Sequence, residues 1–402
     1  ETTQVADLTS TQVAALTTAQ VTGLSAAAIG GLATTQWDAL SITQFTALTT
    51  SQVRGFSETQ LASLNAGQLG ALLPAELASL SSTQFATLDA TQIAQLTPAQ
   101  FKLLGASHMA ALSTEEAAAL TTTQVAALSG AQLSGLTSSQ LEVLGGEQIG
   151  AIATSQISGL TATQVRQLSE TQIAAFTVAQ VRALTSEELG ALTTTQTIGL
   201  STTQLIALST TQVKLLPAAL IGSLDETQLQ SLSTNQVAAF TSAQVQRLAA
   251  TQIEAMSLTQ WGAMTAAALG ALTATQLAEL STDRMAALTT AQIRGISVGG
   301  LTGEQFAALS STHLGALTGT QIRAIPVEEI EGLSTTQVAL LRTTQIGSLT
   351  VTQLGAFSEA QIAAFTTSQL AMLVTTQVPA LTPEQMAVFS ADQLSGLTST
   401  QV

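Results

Sequence analysis

The chain contains no cysteine and no tyrosine. A disulfide framework and a thiolate metal site are therefore excluded. Aromatic residues make up 3% and charged residues 9% of the sequence, so a core has to be assembled from small aliphatic side chains. The ten basic residues are scattered and the formal net charge is -15. Phosphate contacts need clustered Lys and Arg, so nucleic-acid binding is not expected. No cationic amphipathic stretch suits a membrane surface. No apolar run approaches the roughly 18 residues of a membrane-spanning helix, and the longest, Leu215 to Leu224, is interrupted by Pro217. No signal peptide is visible, because Glu1 is already in repeat phase. That fits a processed product, secretion without an N-terminal signal, or a segment of something longer.

What is present is one short period. The sequence reads Ser/Thr-x-x-Gln-Φ-x-small-Leu, with Φ apolar, throughout its 402 residues. We read a single continuous array over 1–402: 37 octapeptides in 1–296, an insertion at 297–301, 12 more in 302–397 and a partial repeat in 398–402, giving 49 complete repeats. Position four is Gln or Glu in 43 of the 49, the exceptions being Ala28, His108, Leu220, Ala268, Arg284 and His313.

Ser or Thr followed three residues later by Gln or Glu is the capping box of a helix start. In phase over the whole chain, it predicts a new helix every eight residues. Charge placement agrees. Acidic residues gather at positions one to four, as in Glu115-Glu116 and Glu187-Glu188, and Arg54, Lys102, Arg166, Arg182, Lys214, Arg247, Arg294 and Arg323 fall at positions six or seven, as a helix dipole favours. Pro74, Pro98 and Pro383 occupy the first helical position, where a missing N–H costs nothing. Pro217 and Pro326 stand at the cap, and only Pro379 lies late in a repeat.

A single long helix is excluded. Eight residues at about 100° each carry the apolar stripe about 80° beyond two turns, so it would wind around the rod. Helices of about six residues are unstable alone. They must stack, burying Φ and Leu, with the small residue at position seven allowing close approach. The expected fold is all-α: a superhelical solenoid of about 49 octapeptides. The alternative is a β-solenoid with a stacked Gln ladder, disfavoured because the apolar positions lie three apart and Ala is a poor strand former. With about three helices per turn and layers about 9 Å apart, the solenoid would extend on the order of 150 Å.

No chemistry emerges. His108 and His313 are read as substitutes for the capping Gln, and the paired carboxylates Glu115-Glu116, Glu187-Glu188 and Glu328-Glu329 as first-turn residues. We expect no catalytic, cofactor-binding or metal-binding residue and no enzyme activity. The phrases Leu120-Thr121-Thr122-Thr123-Gln124-Val125-Ala126-Ala127-Leu128 and Leu381-Thr382-Pro383-Glu384-Gln385-Met386 resemble the opening helix of TAL-effector repeats. The basic partner helix and base-reading loop of those repeats are missing, so DNA recognition is not implied. In composition the whole chain resembles the Thr/Ala/Leu/Gln-rich repeat tracts of large secreted bacterial surface proteins and adhesins. That resemblance implies an extracellular or cell-surface scaffold. The expected function is structural: a fibre subunit or stalk that associates end to end or continues into a longer array. The alternative is a solenoid binding module for a peptide, glycan or hydrophobic ligand.

Overall fold

The computed structural model describes residues 2–401. It divides into two compact bodies, Glu1–Leu208 and Ser209–Val402. Each is an all-α solenoid, and no strand occurs among the described residues. The β alternative is therefore overturned. Every octapeptide is one helical element, an α-helix of four to six residues in all but one, where it is a 3-10 turn.

The repeat Thr121–Leu128 shows how the sequence builds this. Thr121 is extended (φ -74°, ψ 155°), Thr122–Ala127 is helical, and Leu128 is extended again (φ -61°, ψ 140°). The Thr121 hydroxyl accepts from the Gln124 N–H at 3.2 Å, and Gln124 Oε1 accepts from the Thr121 N–H at 2.8 Å. Leu128 closes the helix by donating to the Val125 carbonyl at 3.2 Å, a tightened last turn that uses one carbonyl left over at the helix end. The Leu and the following cap residue are both extended, and that pair turns the chain into the next helix. No described residue has positive φ. The links need no left-handed glycine, which is why the sequence carries no Gly signature at helix ends.

Within each body a helix packs against the third helix along the chain, as Ala106–Ala111 does on Gly130–Gly135 and Thr234–Ala238 on Leu258–Ala263. Side-chain bonds reach both 25 and 31 residues away, on either side of a 28-residue spacing. A turn therefore holds about three and a half octapeptides rather than about three. Each helix lies over the gap between two helices of the adjacent turn. Position five and position eight point inward. Trp37, Phe45, Phe85, Phe101 and Trp261 at position five are fully buried, and Phe56, Phe176 and Phe240 at position eight nearly so. Trp37 packs edge-on against Phe45 and Phe56, with ring centroids 5.0 and 4.8 Å apart.

The small residues at position seven sit where turns touch. A Cβ on Gly159 would fall 2.3 Å from the Gly130 Cα, and one on Gly55 would fall 2.5 Å from the Ala26 carbonyl oxygen. The close approach expected of position seven is thus a backbone-to-backbone contact with the adjacent turn.

Two irregular repeats keep the register. Pro379 lacks the N–H an α-helix would use, and its repeat forms a 3-10 turn at Val378–Ala380 instead. The five residues 297–301, read above as an insertion, fill the place of one whole repeat. Ser297 stands at the cap, Val298–Gly300 forms a 3-10 turn, and Val298 and Leu301 are buried like positions five and eight. That turn packs on the third element before it, Ala274–Ala278, and the third after it, Gly319–Ala324. The segment is a repeat lacking three residues. Bonds that pass it shorten accordingly: Gln321 reaches the Ile293 and Ile296 carbonyls, 28 and 25 residues back, where Gln353 reaches 31 and 28 back.

Candidate functional site

The chemistry of this chain lies at position four, repeated along both bodies. Gln124 is 1% exposed. Its carbonyl oxygen caps its own helix, as the capping box predicts. Its amide nitrogen donates to the carbonyls of Ile93 and Leu96, both at 2.7 Å. These acceptors are positions five and eight of the fourth repeat back. Gln164, Gln180 and Gln196 repeat the arrangement in the first body, and Gln276, Gln353 and Gln361 in the second.

One amide thus serves two helices. A helix of six residues leaves most of its N–H and C=O groups without partners, and a buried unpaired group costs about 1–3 kcal/mol. Gln satisfies the first donor of its own helix and the last acceptors of another. The sequence reading found the first half. The second half carries no mark in an octapeptide, because the acceptors are main-chain atoms.

The substitutes follow the same logic. His108 Nδ1 lies 3.0 Å from the Gly105 N–H and Nε2 lies 2.8 Å from the Leu80 carbonyl. His313 bridges Ser310 and Leu288 in the same way. Each imidazole acts as the Nε2–H tautomer in the place of Gln. Pro217 at the cap has no N–H, and its position four is Leu220, whose buried side chain has no acceptor to offer.

Arg284 divides the work. Its Nη2 donates to the carbonyls of Glu254 and Met256, both at 2.6 Å. The cap N–H of Ser281 goes instead to Glu254 Oε1 at 3.1 Å, and the same oxygen is 3.0 Å from Arg284 Nε. The guanidinium carbon stands 5.6 Å over the Trp261 ring, a cation–π contact. Trp261 Nε1 in turn donates to the Arg284 carbonyl at 3.0 Å.

Where position four is Glu, only half of the role is filled. Glu76, Glu116 and Glu188 accept the cap N–H of Leu73, Ser113 and Thr185. Burial pushes the carboxyls of Glu76 and Glu188 above their usual range against the lowering effect of those bonds. The companion residues Glu115 and Glu187 are exposed. Glu329 follows Pro326, which has no N–H to offer. Its carboxyl is raised by partial burial and by Glu328.

Four arginines at position six strap turns in the opposite direction. Nε of Arg54, Arg182, Arg294 and Arg323 donates to the carbonyls of Ser79, Ala207, Ala316 and Ser348. The helix end they serve is that of the third element further along, not their own.

No group of three or more His, Asp or Glu side chains is placed to hold a metal among the described residues. No helix among them is long and apolar enough to cross a membrane. Residues 352–383 match the family model of the ALTTAQ repeat. Those six letters stand in this chain at 15–20 and 287–292. No curated protein matches the chain. The matched stretch and the helical array together define a repeat protein.

Proposed function

We propose that this chain is a structural repeat protein without enzymatic activity, an extracellular or cell-surface fibre subunit or stalk whose array extends by the same bonds that hold its turns. The supporting observation is directional bonding. Position-four amides donate toward earlier repeats, and the carbonyls that receive them accept from later ones. Gln12 and Gln20 are exposed and bond only within their own caps, with no cross-turn partner among the described residues. The Phe389 and Leu397 carbonyls receive no cross-turn amide among them. Donors on one face and acceptors on the other are complementary. Further residues of the same chain, or a second copy, would continue the lattice. A contact of this head-to-tail kind does not close on itself and generates filaments.

Light scattering and negative-stain microscopy of residues 1–402 over a concentration series test the association. Filaments that disappear in a Gln12→Ala/Gln20→Ala variant are expected. A monodisperse monomer at every concentration overturns association between copies and leaves a stalk within a single chain.

A further inference from the structure

Glu188 breaks the pattern of the position-four amides in one atom. Its Oε2 is 2.5 Å from the Thr185 N–H, in the place of the Gln carbonyl oxygen. Its Oε1 takes the place of the amide nitrogen. That oxygen is buried and has no hydrogen-bond partner, and the residue is 2% exposed. The amides of Gln180 and Gln196, one repeat to either side, each bond two carbonyls 31 and 28 residues back. The same register sets Glu188 against Ile157 and Leu160. Leu160 and Thr185–Glu188 line one open hollow of about 530 Å³. An acceptor therefore faces an acceptor where every regular repeat has a donor.

We propose that Glu188 is a proton-operated staple: with a proton on Oε1 it donates to the Leu160 carbonyl and joins the two turns, and ionised it leaves them unjoined. Transfer of one proton from solvent to Oε1 turns a lone pair into an O–H donor, and no bond to carbon changes. The hollow brings solvent beside the site. The raised carboxyl of Glu188, caused first by burial and opposed by the Thr185 bonds, agrees with this. Its charged surroundings are sparse. Glu187 beside it favours the neutral form. The helix packed against it, Ala162–Gln167, carries Arg166, and the repeat 153–160 carries no charge. Glu76 shares the burial, the cap bond to Leu73 at 2.7 Å and the raised carboxyl, but among the described residues only Glu188 has a buried carboxylate oxygen without a partner.

The direction of the effect is opposite to that of a salt-bridged carboxylate. The folded carboxyl titrates above the unfolded one, so between the two the native state holds more protons. Stability then rises as pH falls from the folded value toward the ordinary carboxylate range near about 4.3, and is lost as pH climbs through the folded value.

The test is amide hydrogen exchange and side-chain carboxyl NMR on the full chain from about pH 4 to pH 8. Wild type is compared with Glu188→Gln, which supplies a permanent donor. The Glu188 carboxyl should titrate above the ordinary range. The protection factors in 157–160 and 185–192, taken relative to the intrinsic rate at each pH, should rise by about tenfold on acidification in wild type, and be high at every pH in the Gln variant. An ordinary Glu188 titration, or a Gln variant that exchanges no more slowly than wild type at neutral pH, overturns the proposal. So does saturable protection by added sodium or calcium that vanishes in the Gln variant, because a cation and not a proton would then join the turns.

Discussion

Truncating Gln204 to Ala separates a cap from a cross-turn staple. The Ser201 N–H reaches Gln204 Oε1 at 2.7 Å, and Gln204 Nε2 reaches the Phe176 and Ile173 carbonyls at 2.7 and 3.2 Å. The residue is 3% exposed. After truncation Ile173 keeps its bond from the Phe176 N–H, but the Ser201 donor and the Phe176 acceptor lose theirs. The lost cap at the exposed Ser201 costs about 0.5–2 kcal/mol and the buried Phe176 acceptor about 1–3 kcal/mol more, about 1.5–5 kcal/mol together. The cost should thus match that of Leu208→Ala, about 2–5 kcal/mol for a deleted core side chain. Gln337 is the internal control. It caps Ser334 at 2.9 Å and is half-buried, with no cross-turn bond among the described residues, so Gln337→Ala should cost only the cap. Denaturant midpoints at unchanged m-value give the comparison. Exchange at Ser201 gives a local reading that survives loss of two-state behaviour in a repeat array. If both Gln variants lost the same stability within about 0.5 kcal/mol, the cross-turn bond would contribute nothing beyond capping, and the assignment of position four as a staple would fall.

Gly159→Ala forces a Cβ to within 2.3 Å of the Gly130 Cα and should cost about 1–3 kcal/mol by overpacking. Gly190→Ala, in a helix with nothing within 4 Å of the new Cβ, should stabilise by about 0.5–1 kcal/mol; melting temperatures that move in the same direction for both would refute the packing of position seven. Glu254→Ala strips Arg284 of its counter-charge and should cost about 2–4 kcal/mol, a value reduced for the partial exposure of Glu254. In an Arg284→Gln background the same change should be nearly neutral, and a double-mutant cycle with no coupling would show that the pair does not share the role of Gln.

The helix boundaries were legible because each repeat states its own start. A hydroxyl at position one, an amide at position four and a proline at the first helical position all report contacts within eight residues. The number of repeats per turn was not legible. Every octapeptide presents the same face, so no longer period records which repeat lies beneath it. The Arg residues illustrate the limit. Arg54 at position six reads as a dipole-favoured residue on its own helix. The atom it bonds belongs to Ser79, 25 residues away. Ser297–Leu301 failed to register as a repeat for a related reason. The missing residues are positions two to four, the capping amide among them, while the cap and the two apolar residues that hold its place in the turn are all there.

That short repeat also ranks the two forces in the array. It keeps the buried pair Val298 and Leu301 and omits position four altogether, and the elements before and after it still pack in register. Leu220, Ala28 and Ala268 make the same point in full-length repeats, where the apolar pair remains and the amide is gone. Burial of positions five and eight is therefore what seats a repeat, and it is non-directional. Hydrophobic seating alone would let a helix slide over the gap beneath it. The amide at position four, aimed at two particular carbonyls, selects one register out of that range. An array of nearly identical repeats has many nearly equivalent registers. In such an array a bond that discriminates among them is needed in most repeats and can be spared in a few, which is the distribution of Gln along this chain.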